Sequence, residues 1–148
     1  MKTSSKLILK NKKAYFNYEI LETELAGIKL LGTEVKSIRQ TKVSFTDSYC
    51  LFIGDELWVR NLHISEYEQH GYVSHDPKRD KKLLLTKTQL LKFKKQFEIS
   101  GITIVPLAIQ TNEKNIIKIN IGLAKGKKMY DKRESIKKKD IEREMKKS

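Results

Sequence analysis

Residues 116–123 read IIKINIGL, in which Ile117, Ile119, Ile121 and Leu123 alternate with Lys118, Asn120 and Gly122. A period of two is the pattern of a strand with one buried face, and it leaves Lys118 on the open face. Upstream, across 112–115, the apolar run Ile102–Thr111 supplies the other arm of a hairpin. Pro106 in that run has no N–H to give to a ladder and is expected at an edge or a bulge. Further toward the N-terminus, Ser48–Ile53 and Leu57–Ile64 flank Gly54, Asp55 and Glu56 and predict another hairpin. Tyr15–Leu21 and Gly27–Leu31 predict two short strands, with Gly27 and Gly32 as breaks. Thr33 offers a cap to a short helix, Glu34–Gln40. After a polar stretch from Ser65 to Lys82, Thr86 or Thr88 can cap a longer helix that ends at Gly101. It carries Leu90, Leu91, Phe93 and Phe97 inward and Lys87, Lys92, Lys94 and Lys95 outward. Six short strands and two helices predict a mainly β fold: a small OB-like closed antiparallel β-barrel with flanking helices, in which closure removes the exposed edges.

The chain has 148 residues, one domain's worth, of which 39% are hydrophobic and 33% charged. No apolar run approaches the roughly 18 residues of a membrane helix. The N-terminal segment, basic but with only Leu7, Ile8 and Leu9 as an apolar centre, is too short for a signal peptide, so a cytoplasmic protein is expected. Cys50 is the only cysteine, which excludes an internal disulfide and a multi-thiolate zinc site. His63, His70 and His75, with Asp76 and Cys50, match no metal-ligand spacing. No Gly-rich phosphate loop, nucleophile elbow or carboxylate pair is present. The expectation is therefore no cofactor, no metal and no enzymatic chemistry.

Charge is the most informative quantity. The 31 lysines and arginines exceed the 18 acids by 13, and the excess is not spread evenly. Residues 1–13 hold five lysines and no acid, residues 76–95 eight cations against two acids, and residues 125–148 eleven against five. Residues 14–75 are net acidic, with nine acids against five cations. Separate basic blocks around a neutral or acidic body point to surfaces that meet phosphate. The blocks divide the chain into a basic N-terminal arm (1–13), the barrel (14–124) and a basic tail (125–148). In the tail only Met129, Tyr130, Ile136, Ile141 and Met145 are large and apolar. Ordering a backbone residue costs about 1–2 kcal/mol, and burying one such side chain returns about 1.5–3 kcal/mol. Five anchors do not order twenty-four residues, so the tail is expected to be disordered when free and helical when bound.

Several strings identify a relationship. Asn11-Lys-Lys-Ala14, Ala26-Gly27-Ile28, Gly32 to Ser37, Asp47-Ser48-Tyr49, His63-Ile64 with Tyr67 to Gln69, His75 to Arg79, Lys82 to Leu85 and Gly126 to Arg133 occur in an order that resembles the small protein B family. These are the tmRNA-binding (SsrA-binding) proteins of bacterial trans-translation. The resemblance implies an OB-like barrel that holds the tRNA-like domain of tmRNA. It also implies entry into stalled ribosomes, where the protein replaces the missing anticodon stem and its tail lies along the small-subunit decoding centre and mRNA channel. The outcome would be tagging of the nascent chain and ribosome release, with no membrane partner and a monomeric protein. Barrel and charge alone leave open a structural ribosomal protein or a general single-stranded RNA binder of the OB type.

The resemblance also assigns residues. Asn11, Lys12 and Lys13 become RNA contacts, as do Lys78 and Arg79 and, on the open face of its strand, Lys118. Leu84 is matched too, although apolar runs usually pack inward and a core position is the stronger expectation. Glu34 and Lys36 fall in a matching block. A carboxylate facing RNA must be paired, so an intramolecular pair is an equal reading for Glu34. Where the family usually has an acid before Ala26-Gly27, this chain has Leu25, with Glu24 beside it. In the tail, Lys127, Lys128, Asp131, Lys132 and Arg133 match the decoding-site block, with Tyr130 placed to stack on a base.

Overall fold

The computed structural model describes residues 6–67 and 75–127. His70 and the tail expectations at Lys128, Tyr130, Asp131, Lys132 and Arg133 lie outside the described residues.

In chain order the elements are β1 (Lys6–Lys10), α1 (Lys12–Asn17), β2 (Tyr18–Ile28), α2 (Gly32–Arg39), β3 (Val43–Ser44), β4 (Tyr49–Ile53), β5 (Glu56–Arg60), β6 (His63–Ile64), β7 (Lys81–Leu84), α3 (Lys87–Phe97), β8 (Ile102–Thr111) and β9 (Ile117–Gly126). The fold is mainly β with flanking helices. Seven strands pair in the order β1-β8-β4-β5-β7-β2-β9, and β8 pairs with β9 as well; β3 and β6 form a small second sheet. Every one of these pairings is antiparallel.

The predicted C-terminal hairpin is the β8–β9 pair, and β9 runs three residues beyond Leu123. Pro106 sits at its bulge, between the pairs Pro106–Ile121 and Ala108–Asn120. There the missing N–H breaks no regular ladder. The β4–β5 hairpin turns through Gly54 and Asp55, with Gly54 at φ +62°, a conformation that favours glycine. Its second strand ends at Arg60, and His63–Ile64 pairs separately with β3. Thr86 caps α3: its hydroxyl accepts the Gln89 N–H at 3.2 Å while the Gln89 side chain accepts the Thr86 N–H at 2.9 Å, the reciprocal pattern of a capping box.

The N-terminal third departs from expectation. Lys6–Lys10, where no element was expected, adds to β8 as a strand. Asn11 then caps α1, accepting the Ala14 N–H at 3.3 Å and donating its amide to the Pro106 carbonyl at 2.7 Å. The two short strands predicted over Tyr15–Leu31 are one eleven-residue strand, β2, because Gly27 lies inside the ladder, opposite both Leu84 and Lys118. α2 begins at Gly32, and its first turn is closed by Glu34, whose Oε1 accepts the Leu31 N–H at 2.7 Å. The polar stretch conceals β7, with Lys81 buried and Lys82 facing out. Leu91, expected inward, is 61% exposed, since Phe93 fills the interior from α3.

The main core lies on the inner face of the seven-stranded sheet. It is built from Ala26, Leu57, Val59, Leu83, Ile104, Ile119 and Ile121, with Ile38 from α2 and Phe93 from α3. A smaller cluster of Ala14, Val105, Leu107 and Ala124 seats α1 on the opposite side of β8 and β9. A Cβ on Gly122 would come within 2.7 Å of the Leu107 side chain, so this close approach excludes any larger residue without a shift of that leucine.

Candidate nucleic-acid interface

Residues directly opposite one another in an antiparallel ladder share a face. Gly27 of β2 is opposite Leu84 of β7 on one side and Lys118 of β9 on the other. The structure therefore brings together Leu84 and Lys118, two site residues 34 positions apart in sequence, with only the Cα of Gly27 between them. The contact is tight, for a Cβ on Gly27 would lie 3.1 Å from Leu84 Cβ. Leu84, for which a core position was the stronger expectation, is 47% exposed, and Leu25 on the same outward face is 42% exposed. The alternation of β7 explains this. Lys81 and Leu83 point inward, so Lys82 and Leu84 point outward.

The same pairing rule extends the face. Leu25 is opposite Asn120, and Lys118 is opposite Gln110. The Lys29 N–H donates to the Lys82 carbonyl at 2.9 Å, and Lys82 is opposite Trp58 of β5. Among the described residues neither Lys29 nor Lys118 enters an ion pair, whereas Lys82 lies 3.4 Å from Glu56. The face combines unpaired cations with exposed apolar and amide side chains and has little competing acid, which suits a phosphate backbone with its bases and sugars. Lys29, Lys82 and Trp58 went unrecognised in the sequence. The period of two along β7 would have found Lys82 once β7 itself was known.

A second group of site residues has a different environment. Glu34 is fully buried. Its carboxylate takes Arg79 in a bidentate pair, with Nη2 to Oε1 at 2.6 Å and Nε to Oε2 at 3.2 Å, and Lys81 Nζ is 3.9 Å away. Arg79 also donates to the carbonyls of Lys29 and Asp80, each at 3.2 Å. Lys81 donates to the carbonyls of Leu62 at 2.9 Å and Arg79 at 2.6 Å. Burial lowers the Lys81 ammonium to about 8, against the opposing pull of Glu34. Buried His75 joins α2 to β6: Nε2 donates to the Ile64 carbonyl at 2.9 Å, so in a neutral ring Nδ1 accepts from the Thr33 hydroxyl at 2.8 Å. The intramolecular pair is thus the arrangement Glu34 adopts. Lys36 and Lys78 stand exposed around this cluster, with Lys36 Nζ 5.3 Å from the centre of the Tyr67 ring.

The N-terminal candidates form a third locality. Asn11 is half-buried and occupied by its capping bonds, while Lys12 and Lys13 are exposed in the first turn of α1. Cations gain nothing from the positive end of a helix, so these two are better matched to an external anion than to their own fold. Beside them a cavity of about 490 Å³ opens between Lys10–Tyr18 and Val43–Ser48. Lys127, the one tail candidate among the described residues, hydrogen-bonds through its N–H to the Asn17 carbonyl at 3.0 Å.

Among the described residues no group of three or more His, Cys, Asp or Glu side chains could hold a metal ion. None of their helices is long and apolar enough to cross a membrane. Cys50 is buried, which pushes its thiol far above the ordinary range.

Comparison with known proteins gives concordant matches. A family model described as SmpB protein matches residues 8–148. The SsrA-binding protein of Cytophaga hutchinsonii is 53% identical over 137 residues, 93% of this chain and 90% of the relative. That of Anaplasma phagocytophilum is 51% identical over 138 residues, 93% of each chain. A solved structure described as "tmRNA-SmpB: a journey to the center of the bacterial ribosome" superposes with a TM-score of 0.69 at 49% identity, covering 82% of this chain and 85% of the other. With a family model over nearly its whole length and relatives half identical across nine-tenths of both partners, this chain belongs to the SmpB family.

Proposed function

We propose that this chain binds SsrA RNA, the tmRNA of trans-translation, and delivers it to stalled ribosomes. There the pair replaces the missing anticodon stem, so that the nascent chain is tagged and the ribosome released. The observation that carries the reading is the outward face around Gly27, where Lys118 and Leu84 flank a bare backbone position on a chain of the SmpB family. The protein acts by binding and shape, and its work on the ribosome places it in the cytoplasm. The sheet is proposed to be a closed OB-like barrel; in support, each of β2, β4, β5, β7, β8 and β9 has a neighbour on both sides. Lys12 and Lys13 are proposed as further phosphate contacts, as are Lys36 and Lys78. Glu34 and Arg79 are proposed to hold the segment that carries Lys78 in place.

The test compares the tRNA-like domain of tmRNA with an unrelated structured RNA at matched salt. Preference for the former is expected, and equal affinities would overturn the proposal. The basic tail is proposed to serve the ribosome, with Lys127, Lys128, Tyr130, Asp131, Lys132 and Arg133 in the decoding site. Truncation after Lys127, which spares the whole of β9, should leave folding and tmRNA affinity intact and abolish tagging in a reconstituted stalled-ribosome assay. Full tagging by the truncated chain would remove the tail from the mechanism.

A further inference from the structure

Trp58 is the only tryptophan in the chain. Trp58 is half-buried, with part of its ring left to solvent, while its strand neighbours Leu57 and Val59 fill the interior. It lies on the outward face of the sheet, opposite Leu51 of β4 and Lys82 of β7. Lys82 is two residues before Leu84 on that same face. From β5 through β7 and β2 to β9 there are three strand spacings, so Trp58 stands about 14 Å from the line of Lys118. That distance is spanned by two or three nucleotides of an extended strand. The acid nearest by sequence on this face, Glu56, is taken up by Lys82 at 3.4 Å, and Arg60 on the other side is held by Asp80 at 3.4 Å. The surroundings of the ring are therefore close to charge-balanced, which suits a base more than a phosphate.

We propose that Trp58 is a stacking platform for one unpaired base of the RNA whose backbone crosses the Lys118–Leu84 face. The site rests on the RNA-binding function proposed above and adds to it a specific ligand group, a base in a single-stranded or splayed-out segment. Every base offers a π-face, so the contact adds affinity with little sequence preference.

Because Trp58 is the sole tryptophan, its emission reports on this site alone. Titration of the full chain with the tRNA-like domain of tmRNA should quench it, with the same midpoint as binding followed by anisotropy of labelled RNA. Trp58→Leu should weaken binding roughly 5- to 100-fold without changing the salt slope, since no charge is removed. Trp58→Phe, which keeps a ring, should retain most of the affinity. Circular dichroism and thermal melting establish that both variants are folded. RNA binding that leaves the emission unchanged, or a folded Trp58→Leu variant with undiminished affinity, would overturn the stacking site while leaving the RNA-binding function standing. Absence of RNA binding by anisotropy would overturn both.

Discussion

The Gly27 face and the Glu34 cluster use the same residue types for opposite ends. Both carry cations drawn from the basic stretch 76–95 or its sheet neighbours, and both contain residues that family resemblance marks as RNA contacts. On the Gly27 face, Lys29 and Lys118 enter no ion pair among the described residues, and the leucines beside them are exposed. In the Glu34 cluster, Arg79 and Lys81 direct their N–H groups to one buried carboxylate and four carbonyls. A positive charge satisfied inside the chain has little left to offer phosphate, and removing it damages the fold. An unpaired cation costs the fold little, and its removal is felt by the ligand.

The largest effect that separates the two regions is expected from Glu34→Ala. It leaves Lys81 buried without its carboxylate, frees Arg79 and removes the acceptor of the Leu31 N–H. Breaking a buried charge pair by deleting one partner typically costs about 3–5 kcal/mol, to be read from urea or thermal unfolding. A loss below about 1 kcal/mol would show that the cluster is not a structural tie, and Glu34 would return to the set of RNA-facing residues.

Lys81 gives the next largest effect, and it depends on pH. Its ammonium titrates at about 8 in the folded chain, against the ordinary lysine value of 10.5 once the chain unfolds. Between those values the unfolded chain keeps a proton that the folded chain has released, so stability rises with pH across that window. Two and a half pH units correspond to about 3 kcal/mol. Lys81→Met titrates no group there. The stability of the natural chain minus that of Lys81→Met should therefore climb from pH 8 to 10.5, and a difference that stays flat would mean that Lys81 is solvated.

This buried lysine also shows why part of the fold and site was not legible in the sequence. Alternation revealed β9, an apolar run revealed β8 and a turn signal revealed the β4–β5 hairpin, and in all of them the inward residues are apolar. In residues 81–85, KKLLL, an inward lysine inverts the signal: Lys81 passes for surface, Leu84 passes for core, and β7 disappears into a polar stretch. Gly27 misled in a similar way, for a glycine inside the ladder, closely approached by Leu84, looks like a strand break. Asn11, by contrast, carried a capping signal before Lys12–Asn17 that propensity rules could have used. Lys118 was placed correctly on an outward face, but Leu84 and Trp58, which share that face, come from other strands, and only the register unites them.

The smallest expected effect on the fold is the one most informative about the ligand. Lys118→Ala removes a half-buried side chain that enters no ion pair among the described residues, so stability should change by no more than about 0.5 kcal/mol. Each phosphate contact releases counterions on binding, and losing one should lower the slope of log affinity against log salt by about 0.7–0.9. Measured across a salt series with the tRNA-like domain of tmRNA, Lys118→Ala should thus bind more weakly at low salt and converge toward the natural chain as salt rises. Arg79→Ala should do the reverse, losing stability while its folded fraction keeps the slope. An unchanged slope for Lys118→Ala combined with a reduced one for Arg79→Ala would exchange the roles of the two regions. The buried cluster would then have to open for RNA to reach it.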